Sequence, residues 1–157
     1  MPAPDSVPVT AIALGSNLGD RRAALEYAID RLRVLLDDVQ ASPFFETAPE
    51  PPATPDQAPY LNAVVVGRSA SPPRDLLNAL LAIERDFGRE RPYAGAPRTL
   101  DLDLIVVGDA VVSEPGLQVP HPRFRERRFV LEPLASLAPE LVDPVTGLTV
   151  RELLARV

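Results

Sequence analysis

Proline cuts this chain into short pieces. Nineteen of its 157 residues are proline, gathered at the N-terminus, between Pro43 and Pro59, and in short gaps between periodic apolar runs. Proline at that density defines loops, because each one fixes φ and removes a backbone donor. The segments left between the loops are short, and 157 residues suit one domain with a single core, expected to span 1–157. A run of about 20 apolar residues is missing, so no membrane-spanning helix is expected. Met1 to Pro8 has neither the basic nor the apolar part of a secretory signal. The chain has no cysteine, which excludes disulfides, thiolate catalysis and cysteine-based zinc sites. The cytoplasm is the expected compartment, and a monomer the expected state.

The periodic segments predict an order of elements. Val9 to Leu14 reads as a buried strand, followed by Gly15-Ser16-Asn17-Leu18-Gly19-Asp20, with Asp20 placed to cap a helix. Leu25, Ala28, Ile29, Leu32, Leu35 and Leu36 then form one helical apolar stripe. Val39 to Thr47 predicts a second strand, 48–59 a long loop, and Tyr60 to Val66 a third strand. Ser71-Pro72 opens a helix with Leu76, Leu77, Leu80, Ile83 and Phe87 on its apolar face, Glu84 beside that face and Gly88 as its stop. Residues 89–98 form a basic loop, and Leu100 to Val107 another strand. Val111 to Val119 predicts a short strand and return. Phe124 to Leu137 predicts a helix broken at Pro133, with Arg125 and Arg128 sharing a face, and Val150 to Arg156 a last helix after a turn at Asp143 to Gly147. This order fits an α+β plait of the ferredoxin-like kind, with helices packed on one face of a largely antiparallel sheet.

Charge narrows the function. A net charge of −6 argues against a general nucleic-acid or membrane-surface binder. All 16 basic residues are arginine, so Schiff-base chemistry and a P-loop lysine are excluded. Genome base composition accounts for that bias equally well. The clustering is more telling: Arg89, Arg91 and Arg98 fall in one stretch, and Arg123, Arg125, Arg127 and Arg128 in another. Two arginine clusters in an acidic protein indicate a focused anion site.

The strongest local signal is Arg98-Thr99-Leu100-Asp101-Leu102-Asp103-Leu104. On a strand Asp101 and Asp103 point to the same face, about 7 Å apart along the backbone. Two carboxylates so close repel one another unless a cation lies between them. Magnesium takes oxygen ligands, keeps several waters and bridges carboxylates to phosphates, so the spacing fits a pair of Mg²⁺ ions clamping a polyphosphate. A solvated acidic face on an edge strand is the alternative. Arg89, Arg91 and Arg98 precede the pair in a loop rich in glycine and proline. They can bind phosphate oxygens as forks and close as a lid, or else form a solvated loop paired with Glu90 or Asp86.

Weaker signals surround this one. His121 is the only histidine and lies between two prolines, in Val119-Pro120-His121-Pro122-Arg123; a lone histidine is more often structural. Tyr60 and Asn62 alternate onto one face of a strand, where a ring and an amide can hold a flat heterocycle, with Phe129 able to cover its other side. Simple packing explains Tyr60 as readily.

Together these segments resemble the 6-hydroxymethyl-7,8-dihydropterin pyrophosphokinase family of folate biosynthesis. The resemblance is carried by Ala13-Leu14-Gly15-Ser16-Asn17-Leu18-Gly19, Asp56-Gln57 with Tyr60-Leu61-Asn62, and Ile83-Glu84 with Gly88-Arg89. Pro97-Arg98-Thr99-Leu100-Asp101-Leu102-Asp103 and Val119-Pro120-His121-Pro122-Arg123 with Arg127, Phe129 and Pro133-Leu134 complete it. It implies a ferredoxin-like plait, ATP and hydroxymethyl dihydropterin as small-molecule substrates, and AMP as a product. It further implies that Asp101 and Asp103 hold two Mg²⁺ ions, that Arg89, Arg91 and Arg98 contact phosphates, and that Glu84, His121 and Arg127 frame the nucleotide site. Tyr60 and Phe129 would sandwich the pterin, with Thr47 and Asn62 reading its edge. The run Ala48-Pro49-Glu50-Pro51-Pro52-Ala53 departs from the family, whose threonine at this point is often followed closely by proline and glycine. The competing expectations are a non-catalytic ligand-binding plait, a two-metal phosphohydrolase and a nucleic-acid binder.

Overall fold

The computed structural model describes residues 7–48, 59–89 and 100–157, with Arg89 described only by its place in a helix. Strand β1 spans Val9–Ser16 and helix α1 Arg21–Leu35, with Asp20 accepting from the Ala23 amide at 3.0 Å as the expected cap. Strands β2 (Asp37–Ala41), β3 (Phe45–Thr47) and β4 (Tyr60–Arg68) follow, then helix α2 (Pro73–Arg89) and strand β5 (Asp101–Val107). A hairpin of β6 (Val112–Glu114) and β7 (Leu117–Val119), a 3₁₀ turn at Phe124–Glu126, α3 (Arg128–Leu137) and α4 (Val150–Leu154) complete the described chain. None of the described helices is long and apolar enough to cross a membrane.

The main sheet runs β2-β4-β1-β5, with β3 also pairing β4, and every pairing is antiparallel. This is the expected ferredoxin-like plait. The strand expected over Val39 to Thr47 is interrupted at Ser42-Pro43, because Pro43 has no amide to give a ladder. The buried Ser42 keeps the bend docked: its amide donates to the Val64 carbonyl at 2.8 Å, and its hydroxyl accepts from the Val64 amide at 2.9 Å.

Side-chain alternation divides the core between two faces. Ile12, Leu14, Leu61, Ala63, Val65, Leu102 and Leu104 pack under Leu25, Leu32, Leu76 and Leu80 of α1 and α2. Ala11, Val64, Val66, Ile105 and Val106 pack under Phe124, Val130, Leu131, Leu134, Val150 and Leu153. The helices therefore cover both faces, not one: the chain after β7 folds back over the second. A register shift between Ala11 and Ile12, opposite Leu104 and Val106, marks a bulge that puts Ile105 and Val106 in the same core.

Two helix boundaries differ from expectation. Gly88 lies inside α2, which ends one residue later; glycine weakens a helix by about 1 kcal/mol but does not by itself end one. The segment expected as one helix breaks at Arg127, whose backbone is extended (φ −104°, ψ 97°), while Pro133 stays inside α3. Pro133 removes one donor from α3, but Val130, Leu131 and Leu134 bury its face. As a result Arg125 and Arg128 do not share a face. Arg125 forks onto Asp143, whereas Arg128 pairs with Glu132 at 3.1 Å and with the Val157 carbonyl at 3.2 Å.

Asp143 anchors the expected turn at 143–147. It accepts from the Val145 amide at 3.0 Å and the Thr146 hydroxyl at 2.7 Å, and Gly147 closes the turn at φ +75°. Burial alone would raise its carboxyl, but Arg125, Thr146 and Val145 outweigh that and hold its pKa at about 2. Thr149 and Glu152 form a reciprocal capping box at the start of α4.

Candidate active site

The helices α3 and α4 cover only part of the second sheet face. The remainder, around the end of β1 and the start of β5, is an open cleft of about 380 Å³. Asp103 lies opposite Ala13 and Asp101 opposite Gly15, both on the face of Ile105, and all five residues line this cleft. Along β5 the burial alternates, with Asp101 and Asp103 exposed and Leu102 and Leu104 buried. The two aspartates thus share one face of one strand.

Glu84, on α2, lines the same cleft and reaches β5 directly. Its Oε2 accepts from the Leu102 amide at 2.8 Å, between the two aspartates. This contact ties an edge strand to the helix beneath it.

One wall of the cleft comes from the β3–β4 pair. Tyr60 and Asn62 lie on the same face of β4, as expected. Asn62 is buried, and its Nδ2 donates to Thr47 Oγ1 at 2.8 Å, with a longer contact to the Phe45 carbonyl at 3.4 Å. With the amide group so oriented, Oδ1 faces the floor at Gly15, where an added Cβ would meet it at 3.4 Å and Tyr60 Cδ1 at 3.6 Å. Glycine leaves that floor open. The opposite wall is Phe124, Arg127, Phe129 and Val130. The Arg127 guanidinium lies over the Phe129 ring, 5.6 Å from its centre.

His121 stands at the third side, after a cis Val119–Pro120 bond. Its amide donates to the Ile105 carbonyl at 2.8 Å, and its Nδ1 accepts from the Arg123 amide at 3.1 Å. An Nδ1 that accepts leaves the proton of the neutral ring on Nε2. A second cleft of about 460 Å³, lined by Leu77, Leu104, Leu117 and Gln118, shares Asp103 and His121 with the first. A third, of about 710 Å³, lies behind Phe129 and shares Thr47 and Arg127.

Thr47, Tyr60, Asn62, Glu84, Asp101, Asp103, His121, Arg127 and Phe129 therefore meet at one cleft. Arg91 and Arg98 lie outside the described residues, as does the side chain of Arg89. Residue reasoning missed Gly15 as the floor and Phe124 as a wall. A glycine ending an apolar strand, and an aromatic three residues before Arg127, were the available signals. The donor set also bears on metals. Among the described residues no group of three metal-ligating side chains forms. Two carboxylates on one strand face suit a hard cation such as Mg²⁺, which fills its shell with water and phosphate oxygens.

Comparison with known proteins shows the family and the fold. Residues 11–139 match the family model described as 7,8-dihydro-6-hydroxymethylpterin-pyrophosphokinase. A Pseudomonas aeruginosa protein named 2-amino-4-hydroxy-6-hydroxymethyldihydropteridine pyrophosphokinase is 42% identical over 146 residues, covering 92% of this chain and 88% of that protein. A Synechocystis protein of the same name is 40% identical over 148 residues, covering 93% of this chain and 74% of the other. The crystal structure of wild-type HPPK-DHPS from Plasmodium falciparum superposes with a TM-score of 0.72 at 16% identity, over 96% of this chain and 45% of that longer one, a likeness of fold. With its family model matched across most of the described sheet and its relatives aligned over more than nine-tenths of its own length, this chain belongs to the 7,8-dihydro-6-hydroxymethylpterin-pyrophosphokinase family.

Proposed function

We propose that this protein transfers the pyrophosphoryl group of ATP to 6-hydroxymethyl-7,8-dihydropterin, giving AMP and the pterin pyrophosphate. The observation that carries the reading is the position of Asp101 and Asp103, on one strand face with Asp103 and His121 bordering two clefts at once. That layout gives one polyphosphate a place between two bound molecules. The flat pterin ring fits between Tyr60 and Phe129, with Asn62 and Thr47 at its edge. The nucleotide fits the cleft of Leu104, Leu117 and Gln118.

Asp101 and Asp103 would hold two Mg²⁺ ions. Bound there, the ions would neutralise phosphate charge and align the reacting oxygens. Glu84 keeps β5 fixed to α2, so both carboxylates stay aimed into the cleft. His121 can donate from Nε2 toward a phosphate oxygen, and Arg127 adds positive charge beside the pterin wall. Arg89, Arg91 and Arg98 are assigned to the phosphates by their motif, where they would stabilise the charge that builds during transfer. The hydroxymethyl oxygen forms a bond to the β-phosphorus as the bond from that phosphorus to the α,β-bridging oxygen breaks. AMP leaves with the bridging oxygen, and the hydroxyl proton is lost to solvent. No covalent enzyme intermediate is needed, since positioning and charge neutralisation carry such transfers.

The same reading takes the chain as a single-domain monomer of the cytoplasm that works on small molecules, without nucleic acid or membrane. Its net charge of −6 and its one continuous main sheet support this. The decisive assay incubates the protein with ATP, magnesium and the hydroxymethyl dihydropterin and identifies the nucleotide product. Pterin-dependent AMP is expected; ADP, or no turnover, overturns the proposal.

A further inference from the structure

Helix α1 opens on two adjacent arginines. Its first turn holds Arg21 and Arg22 and no acidic residue, the carboxylate at that end being the Asp20 cap, whose side chain is engaged by the Ala23 amide. Both side chains turn onto the same short edge of the sheet. Arg21 Nη1 donates to the Pro59 carbonyl at 2.9 Å, and its Nη2 donates to Glu46 Oε1 at 2.8 Å. The Arg22 guanidinium lies 4.9 Å from the centre of the Phe44 ring.

These contacts bracket one wall of the cleft. Phe44 precedes β3, Glu46 is its middle residue, and Pro59 immediately precedes β4. Thr47 and Tyr60, which line the cleft, pair directly across the two strands between those contacts. Strand β3 is only three residues long and, among the described strands, pairs with β4 alone. Residues 48–59 separate the two strands in sequence, and the entropy cost of bringing chain ends together grows with loop length. A strand so short, closing so long a connection, gains its position from outside the ladder. The Asn62–Thr47 hydrogen bond ties it within the sheet, and the two arginines tie it to α1.

We infer that Arg21, assisted by Arg22, is a positioning residue for the substrate ring: it pins β3 to the start of β4 and so fixes Thr47 and Tyr60 in the pterin wall. The inference rests on the reading of that wall as the pterin pocket. Arg21 touches no reacting atom in this scheme. Its influence falls on ring binding, since the cleft read for the nucleotide is lined by no residue of β3 or β4. The fork matters as well as the charge, since its two nitrogens hold a carboxylate and a carbonyl at once.

The test uses the full-length Arg21→Ala, Arg21→Lys and Glu46→Gln variants, each checked for an unchanged thermal transition. Arg21→Ala is expected to raise the KM for the pterin about 3- to 10-fold, the range for one or two surface hydrogen bonds, with kcat and the KM for ATP changed less than about 2-fold. Arg21→Lys should fall between wild type and alanine, because an ammonium does not reproduce the fork. Hydrogen exchange of the Phe45 to Thr47 amides, measured without substrates, should quicken in Arg21→Ala. Unchanged exchange and an unchanged pterin KM would overturn the inference, and so would equal rises in both KM values. If Arg21→Ala does not fold, Glu46→Gln reads the same contact. The exchange experiment is independent of turnover, so a wild-type protein that makes no AMP would remove the substrate reading while leaving the clamp itself tested.

Discussion

The two faces of the central sheet are built from the same strands but finished differently. Under α1 and α2 the strands present a continuous buried apolar layer that includes Ile12, Leu14, Leu61, Val65, Leu102 and Leu104. On the other face the same strands carry Ala11, Val64 and Ile105 into a core at one end, and Gly15, Asn62, Asp101 and Asp103 into open space at the other. Alternation along a strand makes this possible: Leu102 and Leu104 anchor β5 below while Asp101 and Asp103 line the cleft above. One face is packed throughout, while the other is packed at one end and open at the end that holds the candidate site, and substitutions should separate packed from open regions.

The largest effect is expected on the open face. Asp101→Ala or Asp103→Ala should each reduce turnover by on the order of 10³-fold or more, since under the proposed function each removes a carboxylate that would hold the metal ions. Circular dichroism and the thermal transition should stay near wild type, because both side chains are exposed. If either variant keeps a near-normal rate, the division between the faces is wrong.

The covered face should answer in the opposite sense. Leu80→Ala, at a fully packed position, should cost about 2–5 kcal/mol in denaturant unfolding. The KM values of whatever remains folded should be near wild type.

A third test concerns the helices that cover half of the open face. The Asp143 carboxyl sits at about 2 in the folded chain, against an ordinary unfolded value near 4. Its folded pKa is lowered, so the stability it contributes, about 2 kcal/mol, is complete above about pH 4. That contribution drains away as pH falls from about 4 to 2. The pH dependence of unfolding should flatten over that window in Asp143→Asn, and a curve that keeps its wild-type slope would contradict the Arg125–Asp143 account.

The smallest effect is expected at the edge of the ring pocket. Thr47→Val removes the acceptor for Asn62 Nδ2 and should raise the pterin KM by roughly 3- to 10-fold, the consequence of one unsatisfied partner. The KM for ATP should not follow.

Local pattern carried some of this structure and not the rest. The alternation of Asp101 to Leu104, the cap at Asp20 and the stripe of α1 are local, and each appears where the spacing places it. The break between β2 and β3 has a local signal in Pro43, yet its docking depends on Ser42 meeting Val64 across the sheet. The break at Arg127 has no local cause. Pro133 is the obvious breaker by composition, whereas the chain turns where Arg125 forks onto Asp143, eighteen residues away. Which face the last helices cover is a long-range matter as well, and with it the shape of the cleft. Motif and chemistry singled out the candidate residues that line the cleft; the walls that join them, Gly15 and Phe124, needed the fold.

The central claim is that two side chains of one strand grip divalent cations against a nucleotide's phosphates. Counting Mn²⁺ bound per chain by electron paramagnetic resonance, with a non-hydrolysable ATP analogue present, addresses it directly. Two ions should bind to the wild-type protein, and fewer to Asp101→Asn and Asp103→Asn. Equal occupancy in wild type and both variants would show that the cations are held elsewhere, and the account would fail.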